Sequence, residues 1–94
     1  MMPIAFLIPG PLREFTEGRA RVEIGTAPAT VGEALADLWR AHPGVRDRVV
    51  TETGEVRAHV NLFVGAESIR ETGGLGTPLT EGAEISILPA ISGG

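Results

Sequence analysis

The sequence contains no cysteine, and its eight basic residues are all arginine, so lysine is absent as well. Without a thiol there is no disulfide, no thiolate-held zinc or iron–sulfur cluster and no cysteine nucleophile, so any sulfur chemistry uses sulfur supplied from elsewhere. Without lysine there is no side-chain amine on which an isopeptide bond forms, which leaves an N-terminal amine as the one self-acceptor. Long apolar runs are missing too: the longest is IAFLI at 4–8, with no basic segment before it. That excludes a signal peptide or a membrane span and leads us to expect a cytoplasmic protein with no membrane partner. A formal net charge of −4 lacks the positive surface that phosphate backbones require, so no nucleic-acid partner is expected.

What is present fits one small folded domain. Ninety-four residues, 43% hydrophobic and 21% charged, are enough for a single core and far from the composition of a disordered chain. Ile4 to Ile8 predicts a strand with Ile4, Phe6 and Ile8 on one face and Ala5 and Leu7 on the other. Pro9, Gly10 and Pro11 stop it. A polar connection through Glu17 and Gly18 leads to ARVEI, where Ala20, Val22 and Ile24 alternate with Arg21 and Glu23, and the two strands read as a hairpin with a long loop. Thr30 followed three residues later by Glu33 is a capping box, and it predicts a helix from Val31 to about Ala41. Val31, Leu35, Leu38 and Trp39 form its apolar stripe, which makes Trp39 a core residue rather than a stacking platform. Pro43 and Gly44 end the helix, and GVRDRVV adds a short turn that brings Val45 and Val49 to the core. After a TETGE turn, HVNLFV predicts a third strand, with Val60, Leu62 and Val64 opposite His59, Asn61 and Phe63. Gly65 to Ser68 turns into a short strand at Ile69 and Arg70, GGLGTPL is too rich in glycine for a regular element, and EISILP is the last strand. In that strand Ile85 and Ile87 share one face, Ser86 and Leu88 the other. Strand, strand, helix, strand, short strand, strand predicts an α+β domain, a ubiquitin-like β-grasp with a mixed sheet of four to five strands on one main helix.

Conventional catalysis finds no purchase here. His42 stands at a helix end and His59 opens a strand, neither with a partner at metal-site or triad spacing, and the twelve carboxylates are scattered. The GGLG at 73–76 lacks the lysine and following helix of a phosphate loop. We therefore expect no catalytic residue, no metal and no cofactor bound by the chain.

The closing LPAISGG carries the chemistry instead. A carboxylate is a poor electrophile until activated, and an ATP-using enzyme reaches it only if the segment before it is long and slim. From Pro89 to Gly94 an extended chain spans roughly 20 Å. Gly93 and Gly94 carry no Cβ, so the walls of an active site approach closely. Pro89 cannot donate to a ladder and marks where the sheet releases the chain. The domain is expected over residues 1–88 and a flexible Gly-Gly tail over 89–94.

HVNLFV, GAESIR and GGLGTPLTEGAEISILPAISGG together resemble the C-terminal half of the MoaD/ThiS family of ubiquitin-like sulfur carriers, and IPGPLREFTEG resembles that family's first connection. The resemblance covers most of the chain, is strongest from His59 to Gly94, and is nearest the subgroup that delivers sulfide for cysteine biosynthesis. It implies a protein cosubstrate rather than an enzyme: an E1-like adenylating enzyme would spend ATP on the Gly94 carboxyl, and a sulfur donor would convert the acyl-adenylate to a thiocarboxylate. Pro89, Ala90, Ile91, Ser92 and Gly93 would thread the partner's active site. The implied partners are that adenylating enzyme, a sulfur-accepting enzyme such as a pyridoxal-phosphate cysteine synthase, and a processing metalloprotease. Leu7, Phe63 and Leu88, on the strand face opposite the predicted core, are the expected docking patch. Alternatives are a molybdopterin synthase small-subunit carrier, a carrier for thiamine or tRNA thiolation, a modifier joined to target lysines through Gly94, and a plain β-grasp interaction module.

Overall fold

The structure is a computed structural model, and it describes residues 2–89. Strands β1 (Ile4–Leu7) and β2 (Arg21–Ile24) pair antiparallel. Helices α1 (Val31–Ala41) and α2 (Pro43–Val49) follow, then β3 (Val60–Val64), β4 (Glu67–Ser68), the single turn α3 (Ile69–Thr72) and β5 (Glu84–Pro89). The sheet order is β2-β1-β5-β3-β4, with β5 running parallel to β1 and antiparallel to β3. A mixed five-stranded sheet with α1 laid across one face is the β-grasp topology expected from the element order.

Period-two patterning decides which side of the sheet is dry. Ile4, Phe6, Val22, Ile24, Val60, Leu62, Ile85 and Ile87 are buried on the helix side, against Val31, Ala34, Leu35 and Leu38 of α1 and Val45 and Val49 of α2. Trp39 is partly buried against this core. The α1 cap differs in one detail from a reciprocal box: Thr30 Oγ1 accepts from Glu33 N at 3.3 Å, but the Glu33 carboxylate reaches past Thr30 to accept from Ala29 N at 3.0 Å. Two donors at the helix start are satisfied either way.

Three connections differ from expectation. The first is not merely a polar loop: Gly10–Thr16 winds into a 3-10 helix that buries Leu12 and Thr16, and Ala20 falls just outside β2 and is exposed. The second is the short strand, which is Glu67–Ser68, while Ile69 and Arg70 begin α3 because Ser68 caps that turn by accepting from Arg70 N. The third is the glycine-rich segment, where Gly74–Gly76 makes a 3-10 turn. Gly73 (φ 120°) and Gly74 (φ 62°) hold left-handed backbone angles that L side chains rarely adopt. Their turn delivers Thr77 and Leu79 to the start of α1, where Val31 N donates to Thr77 O and Leu79 N to Ala29 O. The glycines thus clamp the helix start, a structural use that needs no nucleotide.

Candidate functional site

The face of the sheet away from the helices is built by the remaining alternate residues. Register places Arg21, Leu7, Ser86, Phe63 and Ser68 in one row across the five strands. Leu88 lies two residues beyond Ser86 on β5, beside Asn61 of β3. Leu7 and Phe63 therefore flank a small serine, and Leu88 sits diagonal to both, within the roughly 7–8 Å at which diagonal side chains interact. Leu7 and Phe63 are half-buried, while Leu88 is 48% exposed, an unusual state for a leucine in an inner strand of a sheet. The three residues expected to form a docking patch share one face, with Ser86 between Leu7 and Phe63 and Leu88 diagonal to both. Ala5, also on this face, is fully buried: it lies between Glu23 and Glu84, and the Arg21 side chain pairs with both carboxylates. The hydrogen bond to Glu84 raises the Arg21 pKa above its usual value, and these paired charges border the apolar patch.

Proline terminates the central ladder on both of its strands. Ala5 N donates to Ala83 O at 3.1 Å, and continuing that parallel pattern along β1 and β5 would call on N–H groups at Pro9 and Pro89, which have none. The Pro9 carbonyl is instead taken by Leu12 N at 3.0 Å. Pro89 itself belongs to the sheet, opposite Val60 as the last residue of β5, one position past the expected domain boundary. Ala90, Ile91, Ser92, Gly93 and Gly94 lie outside the described residues.

One neighbouring arrangement had no role assigned from sequence. Arg70 Nη1 donates to Asn61 Oδ1 at 2.7 Å, and its Nη2 donates to the carbonyls of Val60 at 3.0 Å and Arg57 at 3.2 Å. This guanidinium ties α3 to the entry of β3, the stretch that faces the end of β5. A cleft of about 460 Å³ lies at the opposite end of the sheet, lined by Met2, Ile4, Ile24 and Leu79 among others. His42 caps the end of α1, and His59 is exposed before β3. Among the described residues no cluster of three or more His, Asp or Glu side chains is placed to hold a metal, and no helix is long and apolar enough to cross a membrane.

A mixed five-stranded β-grasp sheet packed on α1 puts the chain in the ubiquitin-like fold class. The chain belongs to the ThiS family, whose model matches residues 6–94. It is 33% identical to the sulfur carrier protein CysO of Mycobacterium tuberculosis over 95 aligned positions, covering 99% of this chain and 100% of that protein. It is also 38% identical to small archaeal modifier protein 1 of Haloferax volcanii over 66 positions, 70% of this chain and 71% of that one. Among solved structures, a chain of the Amycolatopsis orientalis BexX/CysO complex superposes with a TM-score of 0.88 at 35% identity, covering 97% of this chain and 99% of that one. These relatives are carrier and modifier proteins rather than enzymes.

Proposed function

We propose that the chain is a sulfur carrier of the cysteine-biosynthesis type and that Gly94 is its reacting residue. The observation that carries the reading is the family match, which runs through Gly94 on a chain whose β5 stands beside an apolar outer face. An E1-like partner binds ATP; a Gly94 carboxylate oxygen attacks the α-phosphorus and expels pyrophosphate, leaving an acyl-adenylate. Sulfide from a donor then attacks the acyl carbon and expels AMP, leaving the thiocarboxylate. The chain's own part is physical: Leu7, Phe63 and Leu88 dock on the partner, and the residues after Pro89, which itself closes β5, thread into its active site. Ala90 to Gly94 reaches at most roughly 17 Å when extended. The absence of cysteine and lysine means that no thiol or ε-amine of this chain competes for the activated acyl group. That CysO is found assembled with BexX in the Amycolatopsis structure supports docking on a partner protein. The proposed acceptor is a pyridoxal-phosphate cysteine synthase, with a metalloprotease trimming the product.

The Haloferax modifier relatives favour a second reading, conjugation of Gly94 to target lysines. Intact mass spectrometry of the chain co-expressed in cells with the E1-like adenylating enzyme of the same organism separates the two. Replacement of one oxygen by sulfur supports the carrier, high-mass adducts in cells support the modifier, and an unaltered mass overturns both.

A further inference from the structure

We infer that Asn61 is a recognition residue, held by Arg70 so that its amide N–H donors, with the adjacent guanidinium, meet a carboxylate on the activating partner. The inference rests on the docking role proposed for the outer face. A guanidinium has donors only, so the amide oxygen of Asn61 must face Arg70, as the 2.7 Å contact shows. Planarity of the amide then turns Nδ2 the other way. Among the described residues nothing accepts from Nδ2, and no buried side-chain nitrogen or oxygen lacks a partner, so this donor reaches solvent. Asn61 lies on the outer face beside Leu88, at the end of the sheet where β5 finishes.

Charge selects the kind of acceptor. Arg21, Arg40 and Arg46 each pair with a carboxylate, whereas among the described residues none stands within ion-pair distance of Arg70, whose bonds go to neutral oxygens. Amide and guanidinium together present donors and an unneutralised positive charge next to an exposed leucine. Polar donors beside an apolar anchor suit a partner surface with an acidic side chain at the rim of an apolar patch.

The test is Asn61→Asp, which is isosteric. One carboxylate oxygen still accepts from Arg70, now with charge assistance, so the clasp to β3 is kept or tightened. The outward donor becomes an acceptor and repels a carboxylate. With the E1-like adenylating enzyme of the same organism and the carrier as varied substrate, pyrophosphate release should show KM raised at least about tenfold and kcat within about twofold of wild type. Tm should be equal or higher. If Asn61 matters only for holding the fold, the variant is as good a substrate as wild type, and a KM within about twofold overturns the inference. The second variant, Arg70→Gln, should raise KM and flatten the rise in KM that wild type shows between about 0.05 and 0.5 M salt. A wild-type KM indifferent to salt also overturns it. A wild type that is not adenylated at all defeats the functional reading instead, an outcome distinct from these.

Discussion

Leu88 and Ile87 are neighbours in sequence and opposites in consequence, and truncating each separates docking from folding. Fully burying a leucine side chain contributes roughly 1.5–3 kcal/mol. With 48% of Leu88 still exposed in the free protein, about half of that, roughly 1 kcal/mol, remains to be gained when a partner covers it. Leu88→Ala should therefore raise KM for the adenylating enzyme about fivefold with kcat unchanged, the signature of lost uniform binding. Its cost to the free fold is about 1 kcal/mol or less, a Tm loss under about 8 °C. Ile87, 1% exposed on the helix side, behaves inversely. Ile87→Ala leaves a cavity and costs about 2–5 kcal/mol, a large share of the roughly 5–15 kcal/mol that holds a domain together. Its Tm should fall by about 10 °C or more, while KM, measured below the transition, stays near wild type. The assay is pyrophosphate release against carrier concentration, with calorimetry on the same samples. Equal KM for Leu88→Ala and wild type would refute the docking face.

Phe63→Asp puts a charge on one flank of the same patch; its Tm should stay within a few degrees of wild type, and surface-plasmon binding to the adenylating enzyme should fall at least tenfold, with unchanged affinity counting against the patch. Deleting Gly94, or adding one residue after it, should abolish thiocarboxylate formation seen by intact mass, while circular dichroism and Tm remain those of wild type. Thr30→Ala removes the hydroxyl that accepts from Glu33 N and should cost about 0.5–2 kcal/mol in chemical denaturation, with no change in KM.

The parts of the fold legible in sequence are those set by local physics. α1 announces itself by its cap and its stripe, and its observed bounds, Val31–Ala41, coincide with those signals. The long strands follow from alternation, and once alternation assigns faces, Leu7, Phe63 and Leu88 fall together. What could not be read depends on distant partners. The segment Ile69–Arg70 looks like a strand because isoleucine favours one, yet Ser68 caps a helical turn there, and that turn swings the guanidinium back over the entry of β3. The contact between Arg70 and Asn61 therefore has no sequence period to betray it. The 3-10 helix at Gly10–Thr16 was hidden by two prolines that usually signal only a stop, although here Leu12 and Phe15 turn inward and Arg48 stacks over Phe15 at 5.1 Å.

Strand direction links the fold to the proposed chemistry. β1 and β5 lie side by side and parallel, so the segment that enters β1 and the segment that leaves β5 stand at opposite ends of the sheet. Met2, before β1, accepts a hydrogen bond from Gly82 N in the turn that precedes β5, whereas Pro89 closes the far end. The length of β5 separates the Met2 end of the sheet from Pro89 by about five strand residues, roughly 17 Å. With lysine and cysteine absent, this chain carries no side-chain amine or thiol that could take an activated terminal acyl group. Introducing a lysine at Ala58, exposed just before β3 at the Pro89 end, supplies the missing amine. Ala58→Lys incubated with ATP and the adenylating enzyme without sulfide should gain a product lighter than the free chain by one water, which wild type does not form; its absence would mean that the partner, not the chain's own composition, guards the acyl group.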